Sequence, residues 1–219
     1  MGEDQKEYDK MIRTWIADVS PLYDENIYKK YYDIVPCKRK GKADRIRKRE
    51  DQALSIGAWA LYQKALEQSD ETEESTFNLS HSGKYALCSI ACKGENVKVG
   101  CDIEKIKKFH EKIVRRHFCC SEQKYLFEIP EEKERTGEFY RYWVLKESFV
   151  KATRYGLSMG LDSFEIQCMD HGTVRLLKQP EYIQEHYFFH EYQKDGNYKI
   201  AVCSTDSQFS DVVQEIKLI

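Results

Sequence analysis

The residues with the clearest capacity for chemistry are two carboxylates, Asp102 and Glu104, on a predicted strand over 97–104. Alternate residues of a β-strand point to the same face, and at a rise of about 3.3 Å per residue they lie about 7 Å apart. Two carboxylates at that spacing can share a hard divalent cation. An exposed strand face explains an isolated pair of acids more simply, so a third carboxylate is needed to complete a metal site.

A second group of candidates lies on a long predicted helix that runs from about Phe139 and closes at Gly156. Glu147 and Lys151 are four residues apart, so their side chains share one face of that helix. Taken alone, they predict only a surface ion pair worth about 0.2–0.5 kcal/mol. His81 also has a plain explanation, as a capping residue in a turn rich in Ser and Asn.

The spacing of apolar residues predicts the elements that must position these side chains. Intervals of three and four residues indicate helices over 50–68 and 109–127, in addition to the long helix. Alternation indicates strands, and 85–91 and 97–104 are predicted to form a hairpin around the turn 93–96. Further strands are predicted at 164–168, 173–177, 187–192 and 198–203. Helices followed by strands occur in each half, which predicts an α+β protein with two similar lobes, 1–105 and 106–219.

The composition is that of a folded protein without a dominant charge. Of its 219 residues, 41% are hydrophobic and 13% aromatic, which excludes wholesale disorder. The formal net charge is −2, so the overall charge does not favour a nucleic acid or an anionic membrane as the partner. The sequence begins MGEDQKEYDK, unlike a secretion signal or transit peptide, and contains no run of about 18 apolar residues. We therefore expect a cytoplasmic protein.

Three motifs read NLSHSG at 78–83, GCDIE at 100–104 and WVLKESFVK at 143–151. Taken together, they resemble the motifs of the surfactin-type 4′-phosphopantetheinyl transferases. The similarity continues through Gly156-Leu157-Ser158 and the predicted strand 198–203, so it covers roughly residues 78 to 203. Three linked motifs in this order are far more specific than any one of them.

The resemblance implies an enzyme that transfers the 4′-phosphopantetheine arm of coenzyme A to a serine of an apo acyl- or peptidyl-carrier protein and releases 3′,5′-ADP. The fold it implies is a pseudo-dimer of two α+β lobes with the active site between them. It assigns Mg²⁺, together with the coenzyme A pyrophosphate, to Asp102, Glu104 and Glu147. Glu147 is expected to act as the base toward the serine, and Lys151 to neutralise or protonate the leaving 3′,5′-ADP oxygen.

The resemblance also implies a site for the 3′-phosphate of coenzyme A. Ser80 and His81 inherit this role by their place in the motif, and basic residues of the N-terminal lobe are expected to assist them, namely Lys38, Arg39, Lys42 and Arg45. The chain departs from the family pattern nearby. The segment 52–57 has no arginine, and the acidic stretch 67–74 replaces a Y-G-K-P segment.

The segment Lys105–Phe118 is the expected docking surface for the carrier protein. Carrier proteins are acidic around their modified serine, so the transferase should present basic and apolar groups to them. This segment interleaves apolar residues with the cations Lys105, Lys107, Lys108, Lys112, Arg115 and Arg116. For each lysine taken singly, a solvated helix face remains the alternative.

Two other functions are compatible with these residues. The basic run Lys38–Arg49 could belong to a noncatalytic nucleotide- or RNA-binding module, against which the net charge argues. The acidic cluster could instead serve a Mg²⁺-dependent phosphodiesterase that acts on coenzyme A or on a holo-carrier protein. For the transferase we expect no nucleic acid and no membrane as partner.

Overall fold

Two groups of residues, each with its own hydrophobic core, make up the chain in the computed structural model. The first unit comprises Met1–Asn96 and Ser210–Ile219, and the second comprises Val97–Phe209. The structure describes residues 11–69, 71–72, 74–92, 96–169 and 173–219. The first ten residues, on which the expected location partly rests, lie outside these ranges.

The described helices and strands follow one another in short runs along the chain. In order they are β1 (Ile12–Asp18), α1 (Glu25–Ile34), α2 (Cys37–Ala43), α3 (Arg49–Ser69), β2 (Phe77–Ser82), β3 (Tyr85–Ala91), β4 (Val99–Lys105), α4 (Glu111–His117), α5 (Cys120–Glu128), α6 (Glu132–Thr153), β5 (Glu165–Cys168), β6 (Val174–Lys178), β7 (Phe188–Lys194), β8 (Tyr198–Ser204) and β9 (Gln214–Glu215).

The first unit packs the predicted helix, α3, against a sheet of order β2-β3-β1-β9. Leu54, Ala58, Leu61 and Ala65 recur at helical spacing and are buried, so they form the apolar stripe that meets the sheet. Strand β1, which is absent from the predicted elements, runs antiparallel to β3 and parallel to β9. Its Trp15 is fully buried in this core.

The second unit packs α6 against an antiparallel sheet of order β4-β8-β7. Strands β5 and β6 form a separate antiparallel pair. The buried residues of α6 include Phe139, Leu145 and Phe149, which join the core of this unit. Within the described ranges, no helix combines the length and the apolar character that crossing a membrane requires.

The two units share one order of elements, which confirms the prediction of two similar α+β lobes. In each unit a first strand leads through shorter helices into a long helix, α3 or α6. The last two sheet strands then follow, and the final one pairs antiparallel with the first: β3 with β1, and β8 with β4. The β5–β6 pair is an insertion in the second unit.

The predicted hairpin of 85–91 and 97–104 is wrong. Strand β3 pairs with β1 and β2, whereas β4 pairs with β8, so the two strands belong to different sheets. Alternation identifies a strand but carries no information about its partner. The predicted turn at 93–96 includes residues 93–95, which lie outside the described chain. The units also do not follow the predicted boundary between 105 and 106, because β4 belongs to the second unit and Ser210–Ile219 to the first.

Two other local predictions change in detail. The predicted helix over 109–127 is two helices, α4 and α5, because Phe118 is extended and Cys119 begins a new helix with Glu122 in a capping box. The segment 78–83, predicted as a turn, is mostly strand β2, and only Gly83, with φ of 60°, belongs to the turn into β3.

Gly100 allows α6 to approach β4 closely. A Cβ atom built on Gly100 would lie 2.2 Å from the Ser148 carbonyl oxygen and 2.3 Å from the Ala152 backbone nitrogen. Both neighbours are helix backbone, so the clash could not be relieved by rotating a side chain. The glycine of the GCDIE motif therefore sets the distance between the strand with Asp102 and the helix with Glu147.

We expect Gly100→Ala to destabilise the protein by about 1–3 kcal/mol or more, because the added methyl group overpacks a backbone contact. Urea unfolding of the purified variant, followed by far-UV circular dichroism, measures this loss.

Gly137→Ala is the matched control on the same helix. A Cβ atom at Gly137 meets nothing within 4 Å, and glycine in a helix interior is less favourable than alanine by roughly 0.5–1 kcal/mol. The control should therefore be unchanged or slightly more stable. Equal stability of Gly100→Ala and the parent protein would contradict the close approach.

Candidate active site

Asp102 and Lys151 join β4 to α6 through an ion pair. The Lys151 Nζ lies 2.7 Å from the Asp102 Oδ1 and also donates a hydrogen bond to the Cys101 carbonyl oxygen at 3.2 Å. The Asp102 side chain is buried, and that of Lys151 is partly buried. A carboxylate in this environment is stable as an anion only when a positive charge lies beside it. Lys151 supplies that charge.

Glu147 lies one helical turn before Lys151 and within electrostatic range of Asp102. Burial raises the pKa of Glu147, the negative charge of Asp102 raises it further, and Lys151 partly opposes both effects. Burial by itself lowers the pKa of Lys151, but Asp102 and other nearby groups outweigh it, so the pKa of Lys151 is raised. The site therefore combines a carboxylate whose charged form is disfavoured, Glu147, with an ammonium group whose charged form is favoured, Lys151.

Glu104 lies farther along the same strand and is only partly buried. Its Cα is opposite that of Lys199 on β8. The pKa of the Tyr140 phenol is raised by burial and, in part, by the charge of Glu104, which indicates that this carboxylate lies near Tyr140 of α6. In the described part of the chain, no group of three or more His, Cys, Asp or Glu side chains is positioned to hold a metal ion. The structure thus brings Asp102, Glu147 and Lys151 together, and the metal role of Asp102, Glu104 and Glu147 stays a prediction.

The donor chemistry of this cluster nevertheless suits Mg²⁺. Carboxylate oxygens are the ligands that Mg²⁺ takes from proteins, usually one or two of them, with the remaining positions filled by water and substrate phosphates. Asp102 and Glu147 repel each other, which contributes to the raised pKa of Glu147. A divalent cation bound between them would offset this repulsion.

Lys146, the other lysine of the WVLKESFVK motif, has a structural role. Its side chain is fully buried, and its Nζ lies 2.8 Å from the Glu122 Oε2. It also donates hydrogen bonds to the carbonyl oxygens of Leu161, at 2.9 Å, and Phe164, at 3.1 Å. Lys146 therefore ties α6 to α5 and to the segment before β5, away from the Asp102 cluster.

Glu122 was not among the predicted site residues, yet it anchors this region. Its carboxylate accepts hydrogen bonds from the backbone N–H groups of Cys119 and Ile166, both at 2.9 Å, in addition to pairing with Lys146. A glutamate at the third position of a helix is a capping signal that the sequence contains. Its pairing with Lys146, 24 residues later in the sequence, has no local signature.

The predicted phosphate ligands lie in the first unit and differ in exposure. On β2, Ser80 is buried and His81 is exposed, as alternation requires. Lys38 and Lys42 are exposed on one face of α2, and Arg45 is exposed after it. Arg39 differs from them, because its guanidinium stacks over the Trp59 ring at 4.9 Å and burial lowers its pKa.

The predicted docking segment Lys105–Phe118 has the expected distribution of side chains. Val114 and Phe118 are buried in the core of the second unit. The cations Lys105, Lys107, Lys108, Lys112, Arg115 and Arg116 are all exposed. Arg115 pairs with Glu111 at 2.8 Å and stacks over the Phe127 ring, so it is partly committed within the unit.

The GCDIE and WVLKESFVK motifs lie in the second unit, within a segment that matches a known family, whereas NLSHSG lies in the first unit and outside that segment. A family model described as the 4′-phosphopantetheinyl transferase superfamily matches residues 98–203. This segment of the chain is therefore similar to that superfamily. The resemblance stated from the three motifs is confirmed.

Similar proteins agree with this assignment over a limited length. The chain is 36% identical over 138 residues to a 4′-phosphopantetheinyl transferase of Bacillus subtilis, covering 63% of this chain and 58% of that protein. It is 34% identical over 139 residues to the 4′-phosphopantetheinyl transferase Sfp of Bacillus subtilis strain 168, covering 62% and 57%. The chain therefore matches less than two thirds of the length of either relative.

A solved structure with some similarity is the holo-[acyl-carrier-protein] synthase of Thermotoga maritima. It is 19% identical to this chain, with a TM-score of 0.42, and the match covers 52% of this chain and 66% of the synthase.

We expect Lys146→Met to lower the free energy of unfolding by about 3–5 kcal/mol, because it leaves the buried Glu122 carboxylate without its cation. Urea denaturation measures the change. Lys124→Met is the matched control, since Lys124 faces Glu128 at 3.9 Å with both side chains largely exposed, and such pairs contribute little. Similar small losses in both variants would contradict a structural role for Lys146.

We expect Glu147→Gln to be more stable than the parent protein at neutral pH. The raised pKa of Glu147 means that the folded state holds its proton more tightly than the unfolded state, so stability falls as pH rises from the ordinary glutamate pKa to the raised one. Glutamine cannot ionise and escapes this loss. Unfolding of both proteins at several pH values from 4 to 8 should show a difference that grows with pH. A parent protein at least as stable as the variant at neutral pH would refute this prediction.

Proposed function

We propose that the protein transfers the 4′-phosphopantetheine arm of coenzyme A to a serine hydroxyl of an apo acyl- or peptidyl-carrier protein. The superfamily match of residues 98–203 is the observation that carries this proposal. The clustering of Asp102, Glu147 and Lys151 within that segment supports it. The serine oxygen forms a bond to the phosphorus that carries the arm, the bond from that phosphorus to the bridging oxygen breaks, and 3′,5′-ADP leaves.

Glu147 is the proposed base for the serine proton. A general base works best when its pKa lies near the operating pH, and both burial and Asp102 move the pKa of Glu147 upward in that direction. Its place on the well-packed helix α6 holds the carboxylate in one position. The proton lost by the serine therefore passes to Glu147 as the new phosphorus–oxygen bond forms.

Lys151 is proposed to compensate the charge of the leaving 3′,5′-ADP. Its raised pKa keeps the ammonium group protonated, so it can donate a hydrogen bond to the oxygen on which negative charge develops. The ion pair with Asp102 holds the Lys151 ammonium beside the cluster before any substrate binds.

Asp102, Glu104 and Glu147 would hold Mg²⁺, whose charge would neutralise the pyrophosphate of coenzyme A and lower the barrier to displacement. The role of Glu104 in this set rests on its place in the motif alone.

The 3′-phosphate of coenzyme A is proposed to meet Ser80, His81 and the basic residues Lys38, Lys42 and Arg45, with Arg39 as a further candidate. The exposure of His81, Lys38, Lys42 and Arg45 supports this role. Arg39 is the weakest of these candidates because its guanidinium is already stacked on Trp59.

The carrier protein is proposed to dock at Lys105–Phe118, where exposed cations surround a few apolar side chains and would attract an acidic surface. The cytoplasmic location, and the lack of nucleic acid and membrane partners, stay predictions from composition.

Incubation with coenzyme A, Mg²⁺ and a panel of apo-carrier proteins, followed by intact-mass measurement, tests the function. We expect one carrier or more to gain the mass of the arm. Asp102→Asn and Glu147→Gln should lower the rate by about 10²- to 10⁴-fold, the usual effect of losing a base or a metal ligand. Lys151→Ala should lower kcat more than it raises KM.

Glu134→Gln is the control, because Glu134 is exposed in the first turn of the same helix. It should modify carriers at the parent rate. Near-normal rates in both Asp102→Asn and Glu147→Gln would refute the site assignment. Loss of the arm from a holo-carrier, with no addition to an apo-carrier, would instead indicate the phosphodiesterase.

We expect His81→Ala to raise the KM for coenzyme A without a similar change for dephospho-coenzyme A, which lacks the 3′-phosphate. The physical reason is the loss of a hydrogen bond to a dianionic phosphate. Steady-state kinetics with both co-substrates measures the difference. An equal effect on both KM values would contradict a contact between His81 and the 3′-phosphate.

A further inference from the structure

A groove of about 620 Å³ lies in the second unit and is lined by β6, by β7 and by residues that follow β8. None of its lining residues belongs to the cluster of Asp102, Glu147 and Lys151. Its volume is within the roughly 300–1,000 Å³ of small-molecule sites in proteins. The proposed transfer reaction uses none of these residues, so the groove is available for another ligand.

The groove lies on the face of β7 that points away from α6. Phe189 lies near Phe149, and Glu191 pairs with Arg141 of α6 at 2.7 Å, so this face of the strand meets the core. Alternate residues of a strand point to opposite faces. Phe188, which lines the groove, therefore projects on the side away from the helix.

A β-bulge places two cations of β6 on the groove side of that strand. Val174 and Leu176 pack against the core, so Arg175 between them points away from it. The register of the β5–β6 pair shifts after Leu176, which makes Leu177 the extra residue. An extra residue reverses the alternation of the strand beyond it, so Lys178 shares the face of Arg175.

The two cations have no counter-ion within the described ranges of the chain. The side chains of Arg175 and Lys178 are exposed and make no hydrogen bond or ion pair there. Glu165, opposite Lys178, accepts a hydrogen bond from α5 at 2.6 Å, and Glu185 pairs with Lys98. Fourteen described residues line the groove, and none of them is Asp or Glu. The groove is therefore complementary to an anion.

The groove also offers accessible apolar surface. Phe188 is 43% exposed, and Leu177 is 52% exposed. Phe209, from the chain after β8, stacks on the His190 ring with 5.5 Å between centroids. Small-molecule sites combine apolar surface of this kind with a few charged groups that orient the ligand. The matching ligand has an apolar body with an anionic group at one end.

We propose that this groove binds a small organic anion, in which an aromatic or aliphatic body carries a carboxylate or phosphate group. The anionic group pairs with Arg175 and Lys178. The apolar body packs on Phe188, Leu177 and Phe209. A guanidinium group binds carboxylates and phosphates alike through two parallel hydrogen bonds, so both head groups share this chemistry. The ligand needs no backbone pairing with β7, and its binding does not depend on the transferase reaction.

The fluorescent dye 8-anilinonaphthalene-1-sulfonate tests the proposal, because it joins an apolar ring system to an anionic group. It is titrated with the full-length protein in the presence of excess coenzyme A and Mg²⁺, which compete for the proposed transferase site. We expect a saturable rise in fluorescence that weakens as salt is added, because exposed charge pairs are screened. No saturable rise up to millimolar protein would overturn the proposal.

The double variant Arg175→Glu/Lys178→Glu should weaken binding of the anionic dye by about tenfold, because two attractive charges become repulsive. The neutral dye N-phenyl-1-naphthylamine, which has the same rings without the charge, should bind this variant and the parent protein alike. Phe188→Ala should weaken binding of both dyes several-fold, and it serves as the test if the double variant does not fold.

The matched control is Lys124→Glu/Lys133→Glu, which changes the net charge equally at two exposed positions of the second unit. It should bind the anionic dye like the parent protein. Unchanged binding in the groove variants would show that the dye binds elsewhere. Equal loss in the control would show that only the overall charge matters. Either outcome would overturn the proposal.

Displacement of the dye distinguishes the two head groups. The competitors are 4-phenylbutyrate, which has a carboxylate, phenyl phosphate, which has a phosphate, and the neutral 4-phenylbutan-1-ol. We expect at least one of the two anions to displace the dye at concentrations at which the alcohol does not. The more effective anion identifies the preferred head group. No displacement by either anion, or equal displacement by the alcohol, would overturn the proposal.

Discussion

The close packing of α6 on β4 at Gly100 is the constraint on which the site depends. Because no side chain separates the strand from the helix at this point, the helix backbone lies directly against the strand. Asp102 follows Gly100 on the same face of β4, and Glu147 and Lys151 are adjacent to the helix residues in contact with the glycine. The electrostatic coupling of the three side chains is a consequence of this backbone contact. A larger residue at position 100 would push α6 away from β4, and it would thereby separate Asp102 from Glu147 and Lys151.

Two lysines of one helix show how the fold divides structural from chemical roles. Lys146 is fully buried against Glu122 and two carbonyl oxygens, all of which lie within the second unit. Lys151 is partly buried against Asp102 and remains near a second carboxylate. The five-residue separation rotates the two side chains by about 140° around the helix axis, so they serve opposite sides of α6. The buried Lys146–Glu122 pair has all its hydrogen-bonding partners within the fold and makes the second unit rigid. The Lys151–Asp102 pair lies beside Glu147, whose charged form is disfavoured, so this carboxylate is suited to binding a cation or a proton.

The repeated topology of the two units is compatible with their different chemistry. Each unit places a long helix on a sheet in which the first strand pairs antiparallel with a later one, β1 with β3 and β4 with β8. In the first unit the helix α3 contributes mostly apolar and small buried residues. In the second, α6 also carries the charged residues of the site, and the β5–β6 pair is added. The same framework therefore supports different sets of charged residues in the two units.

The sequence by itself determined the α+β class, the long helix with Glu147 and Lys151 on one face, the shared face of Asp102 and Glu104, and the resemblance to a known superfamily. These features are local or depend on motifs, so residue spacing is sufficient to identify them. Tertiary structure decided which strands pair, since β4 joins β8 across almost 100 residues and not its neighbour β3. It also decided that Lys151 pairs with Asp102 and that Glu122 pairs with Lys146, because contacts between distant residues arise from packing and leave no periodic signal.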